Sequence, residues 1–107
     1  MTPFRFKRGE IWKIRCPNGK ETYVRIYRKL MPQYPVWLGR SLINKDVIIF
    51  MLGDGTASVP SKKLKCEVLY QVKMIGDINS KPIGYGEVIK LVKGKIKVLK
   101  KISPCEQ

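Results

Sequence analysis

GEIWKIRCPNGKETYVRIYRK, Gly9 to Lys29, decides the fold: two runs that alternate apolar and polar residues meet at Asn18-Gly19. Asn-Gly strongly favours a tight turn between antiparallel strands, because both residues tolerate positive φ. Side chains point to opposite faces at successive strand positions. Trp12, Ile14 and Cys16 therefore share one face of the first strand, and Ile11, Lys13 and Arg15 the other. In the second strand Val24 and Ile26 oppose Tyr23, Arg25 and Tyr27. The aliphatic face is expected to be core.

Working outward, KLMPQYPVW carries two prolines and reads as a bend before a short strand, VWLGRS. The apolar run in DVIIFMLGDGTASVP ends at Asp54-Gly55, a second hairpin turn. The return strand keeps Ala57 and Val59 on one side until Pro60 stops it. PSKKLK reads as a turn or a single helical turn. In KCEVLYQVKMI, Val68, Tyr70, Val72 and Met74 alternate with Glu67, Gln71 and Lys73, which predicts a long sixth strand. GDINSKPIGYG is a loop by composition. Many short strands separated by turns predict an all-β fold, a closed barrel of five or six strands over residues 8–76. The loop then covers 77–86 and a basic C-terminal element 87–102, all within one domain, 1–107.

The order strand, hairpin, short strand, then IIFMLGDGTASVPSKKL and a further strand resembles the small bent barrel of Src-homology-3-like and Tudor modules. Those modules share an acidic-Gly turn and a return strand into a VP-x-x-x-L element. The resemblance implies a barrel and no particular function. KRGEIWKI, Lys7 to Ile14, is similar to the opening of MazF/PemK ribonuclease toxins. That family has an Arg-Pro pair opening its next aliphatic strand; this chain has none, and Arg25 or Arg28 would have to stand in.

Of the 107 residues 44% are apolar and 28% charged, as in an ordinary globular protein. The balance of charge is unusual: 22 Lys plus Arg against 8 Asp plus Glu, a net +14. Such self-repulsion is relieved by a polyanionic partner. All six arginines lie in the first forty residues; the second half uses lysine alone. Arginine offers fork-shaped phosphate contacts and lysine mobile point charges.

Histidine is absent, and Cys16, Cys66 and Cys105 are widely spaced, so no zinc site is expected. Three cysteines, an odd number, are read as reduced thiols in a cytoplasmic protein, small and buried. The N-terminal residues lack the apolar core of a signal peptide, and VIIFML is too short to span a bilayer.

VIKLVKGKIKVLKK, Val88 to Lys101, holds six lysines and no carboxylate. As a helix it segregates well, with only Lys95 on the apolar half, but Gly94 costs about 1 kcal/mol there. Lys93 with Lys97 and Lys97 with Lys101 would also repel at i,i+4. As a hairpin turning at Lys93-Gly94 it pairs Leu91 with Ile96, Lys90 with Lys97 and Ile89 with Val98. Its β-branched residues and centred Gly94 favour the hairpin, with the helix as the alternative. Either form docks an aliphatic face and turns lysines to solvent.

A nucleic-acid interface is expected on Lys90, Lys95, Lys97, Lys100 and Lys101. Tyr23, Arg25 and Tyr27 form an aromatic–cation–aromatic row on which bases could stack, unless a second layer buries it. Arg5, Lys7 and Arg8, and Lys62, Lys63 and Lys65, extend the basic surface. The lysine pattern alone also suits ordinary solvated edges.

No close pair of carboxylates and no histidine base is present, and GYGEV and GDGT are glycine turns, not phosphate loops. No catalytic residue, metal or cofactor is expected. The leading expectation is a non-enzymatic barrel gripping the phosphate backbone of DNA or RNA, alone or as a small subunit of a nucleoprotein complex. An arginine-driven ribonuclease is one alternative. A module binding an acidic protein or an anionic surface is the other.

Overall fold

A computed structural model describes residues 4–74 and 94–101. Seven strands follow one another: β1 (Ile11–Arg15), β2 (Glu21–Lys29), β3 (Val36–Ser41), β4 (Ile48–Leu52), β5 (Thr56–Val59), β6 (Leu64–Met74) and β7 (Ile96–Lys101). A 3-10 turn, Pro60–Lys62, joins β5 to β6. Each strand pairs antiparallel with the next, and β1 also pairs with β6, which closes a six-stranded barrel. β6 gives one edge to β1 and shares the other between β5, over its first residues, and β7, over its last.

The alternation in the opening stretch survives as far as Ile26. Trp12, Ile14, Cys16, Val24 and Ile26 fill the barrel with Trp37, Ile49, Met51, Ala57, Val59, Cys66 and Val68. Gly39 is the narrow point of this packing: a Cβ there would lie 2.5 Å from a Val24 methyl. The N-terminal arm plugs one end. Phe6 packs edge-on against Trp12 and Trp37, with centroids 4.8 and 5.2 Å apart, and Phe4 donates its backbone N–H to the Gly53 carbonyl. Such aromatic pairs add about 0.5–1.5 kcal/mol each beyond area burial.

The first turn differs from the expected two-residue form. Pro17 fixes φ for the second position of a type I turn, so the Gly19 N–H bonds the Cys16 carbonyl and only Gly19 takes positive φ, at 82°. The result is a three-residue hairpin loop, closed by Cys16 N–H to Lys20 O at 2.8 Å.

The even alternation read along β6 is also corrected. The β1–β6 register shifts between Lys13 and Ile14, opposite Leu69. Val68 therefore faces the interior, whereas Tyr70 and Val72 pair with Lys13 and Ile11 on the outer face. A bulge adds one residue and reverses the facing of everything after it.

Cys16 and Cys66 form a disulfide across the β1–β6 seam, fifty residues apart in the chain. The expectation of reduced thiols is thus overturned for these two, and with it the cysteine argument for a reducing compartment. Cys105 lies outside the described residues.

The closed barrel of six strands and the extra C-terminal strand match the expected fold class. Gly94 and Lys95 lie in a turn and Ile96–Lys101 is a strand, so the helical alternative fails over these residues. Residues 88–93, the other arm of the expected hairpin, and the 77–86 loop lie outside the described residues. No helix among the described residues is long and apolar enough to cross a membrane.

Candidate nucleic-acid interface

Strand pairing sets the outer surface in rows that run from strand to strand. One row is Ile48, Arg40, Arg25, Ile11, Val72 and Val98, crossing β4, β3, β2, β1, β6 and β7. Arg25 and Arg40 are direct cross-strand partners within it. Like charges placed so are destabilising unless something anionic lies against them.

The carboxylates have been drawn elsewhere. In a parallel row Arg15 pairs with Glu21 on one side and Glu67 on the other. Glu21 takes both Lys13, at 2.9 Å, and Arg15, at 3.2 Å. Among the described residues no carboxylate lies within ion-pair distance of Arg25, Arg28 or Arg40. The Arg40 guanidinium instead donates to the Lys45 carbonyl at 3.2 Å and sits 5.5 Å from the centre of the Tyr27 ring.

Tyr27 owes its position to a bulge: the β2–β3 register shifts between Ile26 and Arg28, so Arg28 pairs with Leu38. Leu38 in turn pairs with Phe50. The outer face of β2, β3 and β4 thereby carries Arg25, Arg28, Arg40 and exposed Tyr27 and Ile48 beside partly exposed Leu38 and Phe50.

Tyr23 departs from the expected row. It is 1% exposed and packs with Ile11 and Val72, against which Leu42, Ile43, Tyr70, Met74 and Ile96 also rest. A second layer therefore covers this part of β2, and only Arg25 and Tyr27 of the three are accessible. Beside Tyr23 the Lys13 ammonium lies 5.6 and 5.4 Å from the Tyr23 and Tyr70 ring centres. Burial alone would lower its pKa, but the Tyr70 hydroxyl and the Glu21 carboxylate more than offset this and hold it above the usual lysine range. Burial raises the Tyr23 phenol. Its hydroxyl has no hydrogen-bond partner among the described residues.

The remaining basic residues do not form one track. Glu10 pairs by its carbonyl with the Ile26 N–H, which sets Arg5, Lys7 and Arg8 at the end of the barrel plugged by the arm. Lys62 and Lys63 lie in the 3-10 turn and its cap, at the opposite end, and Lys65 faces outward beside Ser58. Lys97 and Lys95 are exposed, and Lys97 pairs with Lys73 of β6. Lys100 and Lys101 pair in register with Gln71 and Tyr70. Lys90 lies outside the described residues.

Sequence reading missed Arg40, Leu38, Ile48 and Phe50. Arg40 was within reach, since Trp37, Gly39 and Ser41 alternate with Leu38 and Arg40. Ile48 and Phe50 were not, because every residue of IIFML is apolar and the pattern does not mark an outer face. No protein-family model matches the chain, and no curated protein or solved structure matches it significantly.

Proposed function

We propose that this small barrel, of the Src-homology-3-like kind, binds nucleic acid without catalysis through the outer face of β2, β3 and β4. The observation that carries the reading is the Arg25–Arg40 pair, cross-strand neighbours with no carboxylate beside them among the described residues. Phosphates would bridge the two guanidiniums and turn their repulsion into attraction, releasing condensed counterions. Tyr27 supplies a ring for an unpaired base on the same face as Leu38 and Phe50. The net charge of +14 and the β7 lysines give a long-range field that draws a polyanion in.

The test is fluorescence anisotropy with mixed-sequence single-stranded RNA, single-stranded DNA and duplex DNA across a salt series. Affinity should fall steeply with salt. Replacing Arg25 and Arg40 by glutamine should weaken binding and lower the slope by roughly 1.5 units, at about 0.7–0.9 per phosphate contact. Binding indifferent to salt, or unchanged in the double variant, defeats the proposal.

A further inference from the structure

The end of the barrel away from the aromatic plug holds a cavity of about 260 Å³ between the β1–β2 turn, the 42–47 loop and the 3-10 turn. Its floor is aliphatic: Ile43, Val47, Ile49, Val59 and Leu64, with Cys16. Among the described residues that line it, none is acidic and none aromatic.

Its polar groups present hydrogens. The Asn18 Oδ1 accepts the Lys20 N–H at 3.0 Å and the Asn44 Oδ1 accepts the Asp46 N–H at 3.0 Å. Both amides are thereby oriented with their NH2 groups as the remaining donors. Ser41 Oγ accepts from the Ile43 and Asn44 N–H groups, at 3.1 and 3.4 Å. Both its lone pairs are used, so its own hydrogen goes to Thr22 Oγ1, 3.3 Å away. That leaves the Thr22 hydroxyl to donate into the cavity, beside Lys62 and Lys20.

A rim of donors and cations above an aliphatic floor selects a ligand with an acceptor anion at one end and an apolar body at the other. The volume admits roughly nine water-sized groups, taking about 30 Å³ for each. A nucleobase fits poorly: it needs acceptors as well as donors, and an aromatic surface on which to stack.

We propose that this cavity binds a small carboxylate with a compact aliphatic chain. The carboxylate lies against Thr22, Asn44 and Lys62, and the chain on Ile49 and Val59. The site is separate from the β2–β4 face, and its test uses no nucleic acid.

The experiment is titration of the intact protein with hexanoate, followed by amide NMR, with acetate and 1-hexanol as controls. Hexanoate should saturate shifts of Thr22, Asn44 and Ile49 and bind at least tenfold more tightly than either control. Lys62→Gln, an exposed change, should weaken it several-fold, and Val47→Phe should abolish it by filling the floor. Absence of saturation overturns the proposal. Equal binding of 1-hexanol does so by removing the role of the anion, and equal binding of acetate by removing that of the chain. If Val47→Phe loses dispersed amide signals, Lys62→Gln decides: unchanged affinity overturns the site.

Discussion

Arg25 stands directly opposite Arg40 in the β2–β3 ladder, in a row whose other members are apolar. Without a bound anion this arrangement weakens the sheet. Replacing either arginine by glutamine should raise stability at low ionic strength by up to about 1 kcal/mol. The gain should shrink toward physiological salt, where the screening length is about 8 Å. Urea melts of both single variants at two salt concentrations check this.

Tyr23 and Tyr27 are four residues apart and should behave oppositely. Tyr23→Phe removes a buried hydroxyl that has no partner among the described residues, so stability should hold or rise slightly. Nucleic-acid affinity should be unchanged. Tyr27→Ala should leave stability nearly intact, yet weaken single-strand binding by about 1–3 kcal/mol if a base stacks there. Thermal melts and anisotropy on both variants separate the two roles.

Acid should loosen the barrel through Glu21 and Asp54. Lys13, and then Arg15, hold the Glu21 carboxyl below its ordinary value of 4.5. Hydrogen bonds from the Thr56 hydroxyl and N–H, at 2.6 and 2.9 Å, hold Asp54 below 3.8. Both folded values lie below the unfolded ones, so their stabilisation is full above the ordinary carboxylate range. It is lost as pH falls through the lowered values. Glu21→Gln should flatten the acid limb of stability against pH. At neutral pH it should cost about 1–3 kcal/mol, because Lys13 stays charged and buried without its counter-charge. Urea midpoints from pH 7 to pH 2.5 test both effects.

Reduction should weaken the closed seam. The Cys16–Cys66 bond ties residues fifty apart, and a loop of that length stabilises by about 4 kcal/mol on the chain-entropy account. Melts with and without reductant should differ accordingly. The denatured, non-reduced protein should show one titratable thiol.

Gly39 should tolerate no side chain. An added Cβ would lie 2.5 Å from a Val24 methyl and 3.2 Å from the Arg25 carbonyl oxygen. Gly39→Ala should therefore cost about 1–3 kcal/mol in denaturant melts, as overpacked cores do.

How far the sequence could be read depended on whether period two persisted. In β1, and in β2 as far as Ile26, it did, and the inward row of Trp12, Ile14, Val24 and Ile26 was legible. At the register shifts of the β1–β6 and β2–β3 ladders it failed. An extra residue at Leu69 or Tyr27 leaves no mark in the pattern, yet decides that Tyr70 joins Lys13 and that Tyr27 meets Arg40. The burial of Tyr23 was legible only as an alternative to an open row, since it depends on Leu42, Ile43, Tyr70 and Ile96 folding over β2 from elsewhere in the chain. The Arg25–Arg40 pair needed the β2–β3 register, which no single strand contains. The disulfide needed the β1–β6 closure, which an odd cysteine count had obscured.

Strand order in the chain is also strand order around the barrel, and Ile11 lies beside Val72 where the ring closes. The barrel consequently has no privileged first strand. A link between its two ends, with the chain opened instead at the exposed Asn18-Gly19 turn, would preserve every strand pairing from β1 to β6 and lose only the β1–β2 connection. Circular permutation is tolerated where termini are near neighbours and the new opening falls at an exposed turn. Such a permutant would carry β7 within the new link or dispense with it, and so would show whether the six-stranded ring stands without its seventh strand.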